Sequence, residues 1–374
     1  MRFGTRLIVD LSLLADNFKK LRLLCPQNEI LFMVKSDGYG HGMQQIVQYC
    51  LENNLCDEFG CATLAEALKL RSTLIGYQFS LYVFSETGLY DAKFHAYYLE
   101  KNIFPVISSM EDLKIFLANE DFKYFPLNLK INTGMNRLGI AVEDIDEVMK
   151  ILKNKQRPEI NHLMSHFACA SQSVQKIKKN QNQYDQFLQI KKMFINNNFK
   201  LHKTSMANSG AIEQKFALDE SHIRPGLILY GPSALTAQMR ARTCWNGKNI
   251  ARLETTVLKS FLVKKGDPLG YGATPCPAAG TILILSIGYG DGFATRYRGA
   301  VLGKANLKGK IVGRISMDMA HYLISGEQKS FAVGEKIILW GHSQSEFLEF
   351  CDQVNTIPYE VLCQLGSRIP RIYY

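Results

Sequence analysis

Up to about residue 232, the chain alternates between short apolar runs and stretches in which apolar residues recur every three or four positions. The apolar runs have the length of strands, and the periodic stretches, such as MQQIVQYCLENN and DIDEVMKILKNK, are typical of amphipathic helices. The pattern predicts strands at 29–34, 60–64, 79–85, 103–108, 125–131, 160–168, 201–208 and 221–231. Eight strands that alternate with helices predict an α/β protein with a (β/α)8 TIM-like barrel.

Beyond residue 232 the pattern changes to β-rich segments that are punctuated by glycine, such as GTILILSIGYGDG and KSFAVGEKIILWG. Helical periodicity returns only in SEFLEFCDQVN, before a final turn that contains TIPYEVLC. We therefore predict a barrel domain over residues 1–232 and a C-terminal all-β domain over 233–374. The first few residues are candidates for joining the β-domain.

Composition narrows the class of protein. With 374 residues, 47% of them hydrophobic and 21% charged, the chain is long enough for two globular domains. No apolar run approaches the roughly 18 residues of a membrane-spanning helix, and Asp10 interrupts the apolar stretch that would make the N-terminus a secretory signal. We expect mature protein that has no membrane partner.

The cysteines and the net charge exclude two further classes. The nine cysteines are scattered without a C-x-x-C pair, which predicts neither a disulfide framework nor a zinc site and favours the reducing cytoplasm. The formal net charge of +10 raises the question of a nucleic-acid partner. However, the basic residues are dispersed over helical stretches and form no recognition motif, so we expect no nucleic-acid partner.

The segment ILFMVKSDGYGHG, residues 30–42, holds the first candidate for chemistry. In this segment Lys35 lies at the C-terminal end of the first predicted barrel strand, and the catalytic groups of such barrels lie at the C-terminal ends of the strands. A strand-end lysine whose amine reaches water is the default interpretation, and a phosphate loop fails because the lysine precedes the glycines. The third interpretation is a lysine that forms a Schiff base with a carbonyl cofactor.

The ends of the last two predicted strands favour the Schiff-base lysine. Barrels commonly hold a cofactor phosphate with the loops after strands 7 and 8. Here strand 7 ends in Asn208-Ser209-Gly210, and strand 8 gives Arg224-Pro225-Gly226-Leu227. Each is a common turn sequence by itself, but their occurrence together predicts a phosphate site.

One cluster of possible metal ligands occurs in the segment INHLMSHFACA. His162, His166 and Cys169 have a metal-like spacing, but four residues of a strand span about 13 Å, too far for one ion to bind both histidines. We predict no metal. Two interpretations of His166 remain: it orients a neighbouring ligand of a cofactor, or it is a core histidine whose hydrogen bonds are satisfied.

Motifs along nearly the whole chain resemble those of bacterial alanine racemases, which use pyridoxal 5′-phosphate (PLP). The matching motifs are, in order, MVKSDGYGHG, LKINTGMNRLGI, SHFA, ANSG, IRPGLILYG, YGAT, IGYGDG, GRISMDM and TIPYEVLC. The resemblance implies a barrel with a C-terminal β-domain and a cytoplasmic homodimer whose active sites mix both chains. It also implies interconversion of L-alanine and D-alanine to supply D-alanine for peptidoglycan.

The same resemblance assigns roles by motif. Lys35 and Tyr271 would be the two catalytic bases. The residues that would bind PLP are Lys35, Tyr39, Arg137, His166, Ser209, Arg224, Gly226, Leu227 and Tyr359. Arg137 and Met317 would contact the substrate. Tyr289, Asp318 and Lys130 would form the entrance or support the site, and Lys130 falls where many members carry a carbamylated lysine. Tyr271, Met317 and Asp318 would come from the partner subunit.

The chain departs from the usual family motifs near these positions, for example with Ser36-Asp37-Gly38 before the tyrosine and with Asn136 before the arginine. These departures leave the substrate open. Alternatives are a racemase of another amino acid such as serine, a PLP-barrel amino acid decarboxylase, and a PLP-binding regulator without catalysis.

Overall fold

The computed structural model describes residues 4–172, 177–303, 307–326 and 330–374. Its strands, in chain order, are β1 (Arg6–Val9), β2 (Glu29–Met33), β3 (Glu58–Thr63), β4 (Ser80–Glu86), β5 (Ile103–Ile107), β6 (Asn128–Asn132), β7 (Ile140–Ala141), β8 (Glu159–Met164), β9 (Lys200–Asn208), β10 (His222–Arg224), β11 (Ala251–Val263), β12 (Pro268–Leu269), β13 (Thr274–Pro275), β14 (Gly280–Leu285), β15 (Val301–Leu302), β16 (Gly309–Val312), β17 (Ala320–Ser325), β18 (Lys336–Trp340) and β19 (Arg371–Tyr373). Its helices are α1 (Leu11–Leu24), α2 (Lys35–Tyr39), α3 (Met43–Glu52), α4 (Leu64–Thr73), α5 (His95–Lys101), α6 (Met110–Ala118), α7 (Ile145–Asn154), α8 (Ile177–Asn196), α9 (Ser209–Glu213), α10 (Gln344–Gln353) and α11 (Pro358–Cys363).

Eight parallel strands close into a barrel in the order β2-β3-β4-β5-β6-β8-β9-β10, and β10 pairs again with β2. The short β7 pairs with the side of β6. Where β2 and β3 pair, Phe32 lies opposite Phe59, and both are fully buried because both faces of a barrel strand are covered. The strands β6, β8, β9 and β10 carry polar residues as well. The predicted (β/α)8 barrel is therefore confirmed.

The helices that follow the strands show the expected sequence signals. In α7 the buried residues are Ile145, Val148, Met149 and Leu152, three or four positions apart. At the start of α4, the Thr63 hydroxyl accepts the Glu66 N–H, and the Glu66 carboxylate accepts the Thr63 N–H in return, which is a capping box. The apolar face of α7 is thus buried in the core. No helix among the described ranges is long and apolar enough to cross a membrane.

The eighth barrel strand is shorter than the sequence pattern predicts. We expected a strand over 221–231, but β10 ends at Arg224 and residues 227–230 form a 3-10 helix. Pro225 has no N–H to continue the ladder, although its carbonyl still accepts the Met33 N–H at 2.9 Å. The apolar residues 227–230 are buried in a short helical turn. Four consecutive apolar residues are too few to show whether the segment is a strand or a helix.

The second part of the chain forms a sheet in the order β15-β16-β17-β14-β11-β1-β19, with β18 also paired to β11. Near the N-terminus, β1 runs antiparallel to β11 and parallel to β19, so both ends of the described chain meet in this sheet. The predicted C-terminal β-domain is confirmed.

Two helices belong to this part of the chain: α10 was expected from periodicity, whereas α11 lies in TIPYEVLC, where we expected only a turn.

Candidate functional site

The segment after β2 turns in the left-handed sense. Ser36, Asp37, Gly38 and Tyr39 have φ of 52°, 53°, 65° and 52°. This conformation costs about 1–2 kcal/mol for each residue other than glycine. Hydrogen bonds hold it in place: the Ser36 N–H donates to Glu66 Oε1 at 2.6 Å and the Gly42 N–H to the Asp37 carbonyl at 2.8 Å. Strain that is fixed in this way is typical of functional sites.

A cavity of about 520 Å³ opens at the carboxyl ends of the barrel strands, beside this turn. Predicted site residues that line it together are Lys35, Tyr39, Lys130, Arg137, His166, Ser209, Arg224, Gly226 and Tyr359. Leu227 is fully buried next to Gly226 and does not line the cavity. Apolar walls come from Met33, Phe84, Met135, Met164, Phe167 and Ile357. The structure thus brings most of the predicted residues into one place.

The cavity is strongly cationic. Lys35, Lys130, Arg137 and Arg224 all line it, and no Asp or Glu is among its lining residues. Burial and the charge of Arg137 lower the pKa of Lys35. Burial, followed by the charges of Arg224, Arg137 and Lys35, lowers the pKa of Lys130 to about 8. Four basic side chains around one cavity disfavour one another's charged forms, and Glu66, whose charge raises the pKa of Lys35, is not among the residues that line it. The cavity therefore suits a ligand with several negative charges.

One end of the cavity is built from hydroxyl groups and tightly packed backbone. Ser209 Oγ accepts the Gly226 N–H at 3.0 Å, and a Cβ added at Gly226 would collide with the Tyr39 hydroxyl. The rings of Tyr39 and Tyr359 lie 5.8 Å apart, and burial raises the pKa of both phenols, so both keep their protons. These hydroxyl groups are donors suited to a phosphate, and glycine at position 226 leaves room for the Tyr39 hydroxyl.

The other end of the cavity is organised by Arg224. Its Nη1 donates to Ser205 Oγ and its Nη2 to the Ser165 carbonyl. Burial lowers the pKa of Arg224 to about 10, and burial together with the Arg224 charge lowers the pKa of His166 well below its usual value. His166 is therefore neutral beside a charged guanidinium. The sequence reasoning missed Ser165 and Ser205; the signal for Ser205 is a serine within the buried half of β9.

Three predicted residues lie elsewhere on the chain. Tyr271, Met317 and Asp318 line a separate cavity of about 620 Å³ on the second sheet, and this cavity shares no lining residue with the barrel cavity. The Tyr271 side chain is 71% exposed. One chain therefore does not bring Tyr271 and Lys35 into one cavity.

The loop that carries Tyr289 packs against the loop that carries Met317. The Tyr289 N–H donates to the Ser316 carbonyl at 3.0 Å, and the Gly290 N–H donates to the Met317 carbonyl at 2.9 Å. Arg368 bridges the two loops, because its Nη2 lies 2.8 Å from Asp318 Oδ1 and its Nε lies 3.2 Å from Asp291 Oδ1. Tyr289, Met317 and Asp318 thus form one structural unit.

Comparison with known domain families decides the identity of the fold. The model of the alanine racemase N-terminal domain matches residues 9–234, and that of the alanine racemase C-terminal domain matches residues 250–373. The chain belongs to the alanine racemase family. The predicted family and the predicted class of enzyme, an amino acid isomerase, are confirmed.

Individual alanine racemases are similar over their full length. The protein named alanine racemase from Nitrosococcus oceani is 31% identical over 97% of this chain and 98% of its own length. The one from Photobacterium profundum is 30% identical over 98% of each chain. Among solved structures, alanine racemase from Acinetobacter baumannii has a TM-score of 0.85 at 27% identity and covers 100% of both chains. Alanine racemase from Bartonella henselae, solved with covalently bound pyridoxal phosphate, has a TM-score of 0.84 at 25% identity and also covers 100% of both chains.

Proposed function

We propose that the barrel cavity binds PLP and that the protein uses it to interconvert L-alanine and D-alanine with two bases. The observation that carries this proposal is the set of four cations around one cavity that has no lining carboxylate. PLP offers a phosphate and a phenolic oxygen, and alanine offers a carboxylate, so their negative charges match those cations. The relative from Bartonella henselae, which binds this cofactor covalently, supports the same assignment.

The residues around the cavity fit PLP at each of its polar groups. We assign the phosphate to Ser209, Gly226, Leu227, Tyr39 and Tyr359, the cluster of hydroxyl groups and backbone at one end. Arg224 would face the ring nitrogen with His166 behind it, and Arg137 would face the phenolic oxygen. Lys35 would bind the aldehyde carbon covalently. When bound, PLP supplies a conjugated ring that withdraws electrons from the carbon bearing the α-proton of alanine.

Racemisation requires a base on each face of that carbon. We assign one face to Lys35, whose amine would be freed when the amine of alanine replaces it on the cofactor. Burial and Arg137 lower the pKa of the Lys35 amine and so raise the fraction of neutral amine that accepts a proton. We assign the other face to Tyr271 of the partner subunit. Each base would take the proton from one enantiomer and return a proton to the other. Arg137 would hold the substrate carboxylate, with Met317 of the partner subunit beside it.

A homodimer is the arrangement that unites the two cavities. Around Tyr271 the sheet exposes apolar side chains, namely Leu258, Met317 and Met319, which are 41%, 53% and 42% exposed. Burial of such a face by a second copy would remove apolar area from water and deliver Tyr271 to the partner's Lys35. Tyr289 and Asp318, which share a structural unit with Met317, would then lie at the entrance.

Lys130 is the residue for which we propose carbamylation. Its amine is buried among Lys35, Arg137 and Arg224. Reaction of the neutral amine with carbon dioxide forms an N–C bond, releases one proton and leaves an anionic carbamate. The change would convert repulsion of Arg137 into an ion pair. Because the pKa of Lys130 is lowered to about 8, the reactive neutral form is available near neutral pH.

We expect the intact protein in bicarbonate buffer to gain the mass of one carbon dioxide per chain, as measured by native mass spectrometry. The fraction modified should rise as the pH passes through about 8, the pKa of Lys130, since only the neutral amine reacts. Lys130→Met should lose the added mass. Lys203 is the control, a partly buried lysine of the barrel: despite desolvation, Tyr82 and Glu58 raise its pKa, so Lys203→Met should keep the added mass. An unmodified wild-type protein would contradict the assignment.

Ser209→Ala tests the phosphate end of the cavity. The variant loses the hydroxyl assigned to the phosphate, and a hydrogen bond to a charged group contributes about 1.5–3 kcal/mol. We expect the dissociation constant for PLP to rise about 10- to 100-fold in an absorbance titration. Ser72→Ala, at an exposed position of α4, is the control and should bind PLP as the wild type does. An unchanged dissociation constant in Ser209→Ala would show that the Ser209 hydroxyl does not bind the phosphate.

Three broader assignments belong to the proposal. We place the protein in the cytoplasm, and the nine cysteines, all unpaired, support a reducing compartment. We assign D-alanine supply for peptidoglycan as its role, as the family resemblance implies. We also propose a barrel domain over 1–232 and a β-domain over 233–374 that includes the first strand, as the pairing of β1 with β11 supports.

The direct test is to incubate the purified protein with PLP and L-alanine and to measure D-alanine, with L-serine in parallel. We expect D-alanine to form without release of carbon dioxide. D-serine formed faster than D-alanine would redirect the proposal to another racemase, and carbon dioxide would indicate a decarboxylase.

A further inference from the structure

A chain of buried hydrogen bonds leads from Arg224 into the interior of the barrel. Arg224 Nη1 donates to Ser205 Oγ, and Ser205 Oγ lies 2.7 Å from His162 Nε2. The three side chains come from the neighbouring strands β10, β9 and β8, and they are 4%, 0% and 0% exposed. Nothing in the proposed function uses Ser205 or His162, yet both lie behind the group assigned to the ring nitrogen of the cofactor.

The chemistry of the guanidinium fixes the direction of one of these bonds. A guanidinium only donates hydrogen bonds, so Ser205 Oγ must accept from Arg224. The bond between Ser205 Oγ and His162 Nε2 is compatible with either tautomer of His162, because a hydroxyl both donates and accepts. His162 Nδ1 finds no hydrogen-bond partner among the described residues. His162 therefore joins this chain of hydrogen bonds through Nε2.

The surroundings keep His162 neutral. Burial, followed by the neighbouring His222, Arg224 and Lys203, lowers the pKa of His162 well below its usual value. Those neighbours face it from β10 and β9, and the Tyr82 ring packs edge-on against it from β4. Glu58 faces His222 and Lys203, and is paired with Lys203. His162 thus orients Ser205 without adding a fifth cation near the cavity.

We infer that Ser205 and His162 are positioning residues that fix the plane of the Arg224 guanidinium against the ring nitrogen of the cofactor. This inference rests on the proposed function. The guanidinium is held at two of its nitrogens, by Ser205 Oγ and by the Ser165 carbonyl, and two anchors define the orientation of a planar group. The two hydrogen bonds keep the guanidinium from rotating, so its remaining N–H groups point in a fixed direction.

The orientation of Arg224 has a chemical consequence. An arginine that faces the ring nitrogen does not give up its proton readily, so that nitrogen stays unprotonated. If Arg224 turns aside, water reaches the nitrogen and protonates it, which makes the ring a stronger electron sink. The side reaction that increases is transamination: the C–N bond of alanine breaks, its amino group and a proton move to the aldehyde carbon of the cofactor, and that carbon releases the Lys35 amine. Alanine is thereby oxidised to pyruvate and the cofactor is reduced to its amine form. Water supplies the carbonyl oxygen of the pyruvate that leaves.

The test measures the ratio of pyruvate to D-alanine formed by the PLP-loaded enzyme from L-alanine. A variant that is only less folded or less stable makes less of both products, and their ratio does not change. Ser205→Ala should raise the ratio about tenfold, because an anchor of a charged group is lost. Ser205→Thr, which keeps the hydroxyl, should return the ratio toward the wild-type value.

A pair of variants at His162 keeps the test independent of the folding of Ser205→Ala. His162→Leu removes the hydrogen-bonding partner of Ser205 and should raise the ratio, whereas His162→Gln keeps a side chain that both donates and accepts and should raise it less. His202→Gln, at a partly exposed histidine of the same strand as Ser205, is the control and should match the wild type.

The absorbance spectrum of each PLP-loaded variant without substrate gives a second readout. The spectrum should depend on pH in variants in which Arg224 has lost an anchor, whereas the wild-type spectrum should not change with pH.

Wild-type ratios and spectra in both Ser205→Ala and His162→Leu would overturn the inference and leave the proposed function intact. A wild-type protein that neither binds PLP nor forms D-alanine would instead remove the proposed function itself.

Discussion

Lys35→Ala should abolish both the near-ultraviolet to violet absorbance of the PLP-loaded protein and its racemase activity. The variant loses the group that binds the cofactor covalently and, at the same time, one of the two bases. A positioned base alone contributes roughly 10²–10⁴-fold in rate, so we expect activity to fall by at least about 10³-fold. The measurement is the absorbance spectrum after addition of PLP, together with the rate of D-alanine formation.

Two controls separate this role from a general effect of charge. Lys35→Arg keeps a cation in the cavity but has no amine that becomes neutral, and it should be as inactive as Lys35→Ala. A small primary amine added to Lys35→Ala should restore part of the activity, because it replaces the missing base. A Lys35→Ala protein with the wild-type absorbance would assign the covalent bond to another lysine.

Tyr271→Phe should reduce racemisation by roughly 10²–10⁴-fold while PLP stays bound, because the variant removes a base and none of the groups that hold the cofactor. Exchange of the α-proton with solvent separates the two bases. We expect Tyr271→Phe to slow exchange from L-alanine more than exchange from D-alanine, as measured by deuterium incorporation into each enantiomer. Equal slowing from both enantiomers would count against a base on each face.

Mixing two inactive variants tests whether the site is shared between subunits. A dimer of one Lys35→Ala chain and one Tyr271→Phe chain contains one site in which both bases are intact. Random exchange of subunits makes half of the dimers mixed, so about a quarter of wild-type activity should return. Mixed dimers verified by mass spectrometry that remain inactive would show that Tyr271 does not act on the partner's Lys35.

The sequence pattern predicted the barrel because strand and helix periods differ and repeat eight times. It failed where the local pattern is too short to carry a period: residues 227–230 form a 3-10 helix after Pro225, and α11 occupies six residues in what looked like a turn. Contacts with distant parts of the chain accompany α11. For example, Gly40 lies so close to the Leu362 carbonyl of α11 that a side chain at position 40 would collide with it.

The same distinction holds for the site. The positions of Lys35, Ser209 and Arg224 could be predicted because each lies at or just after the end of a barrel strand. The left-handed run from Ser36 to Tyr39 could not, because three of these four residues are not glycine and hydrogen bonds from distant residues such as Glu66 hold them. The contact of Ser205 with His162 depends on the register of β8 and β9, which the sequence does not specify.

The central claim is that the amine of Lys35 binds the aldehyde carbon of PLP in the cationic cavity. Reduction of the PLP-loaded protein with borohydride makes that bond permanent, and peptide mass spectrometry then locates it. We predict one pyridoxyl phosphate group per chain, on the peptide that contains Lys35. A label on Lys130 or another lysine, or the absence of any label, would contradict the claim.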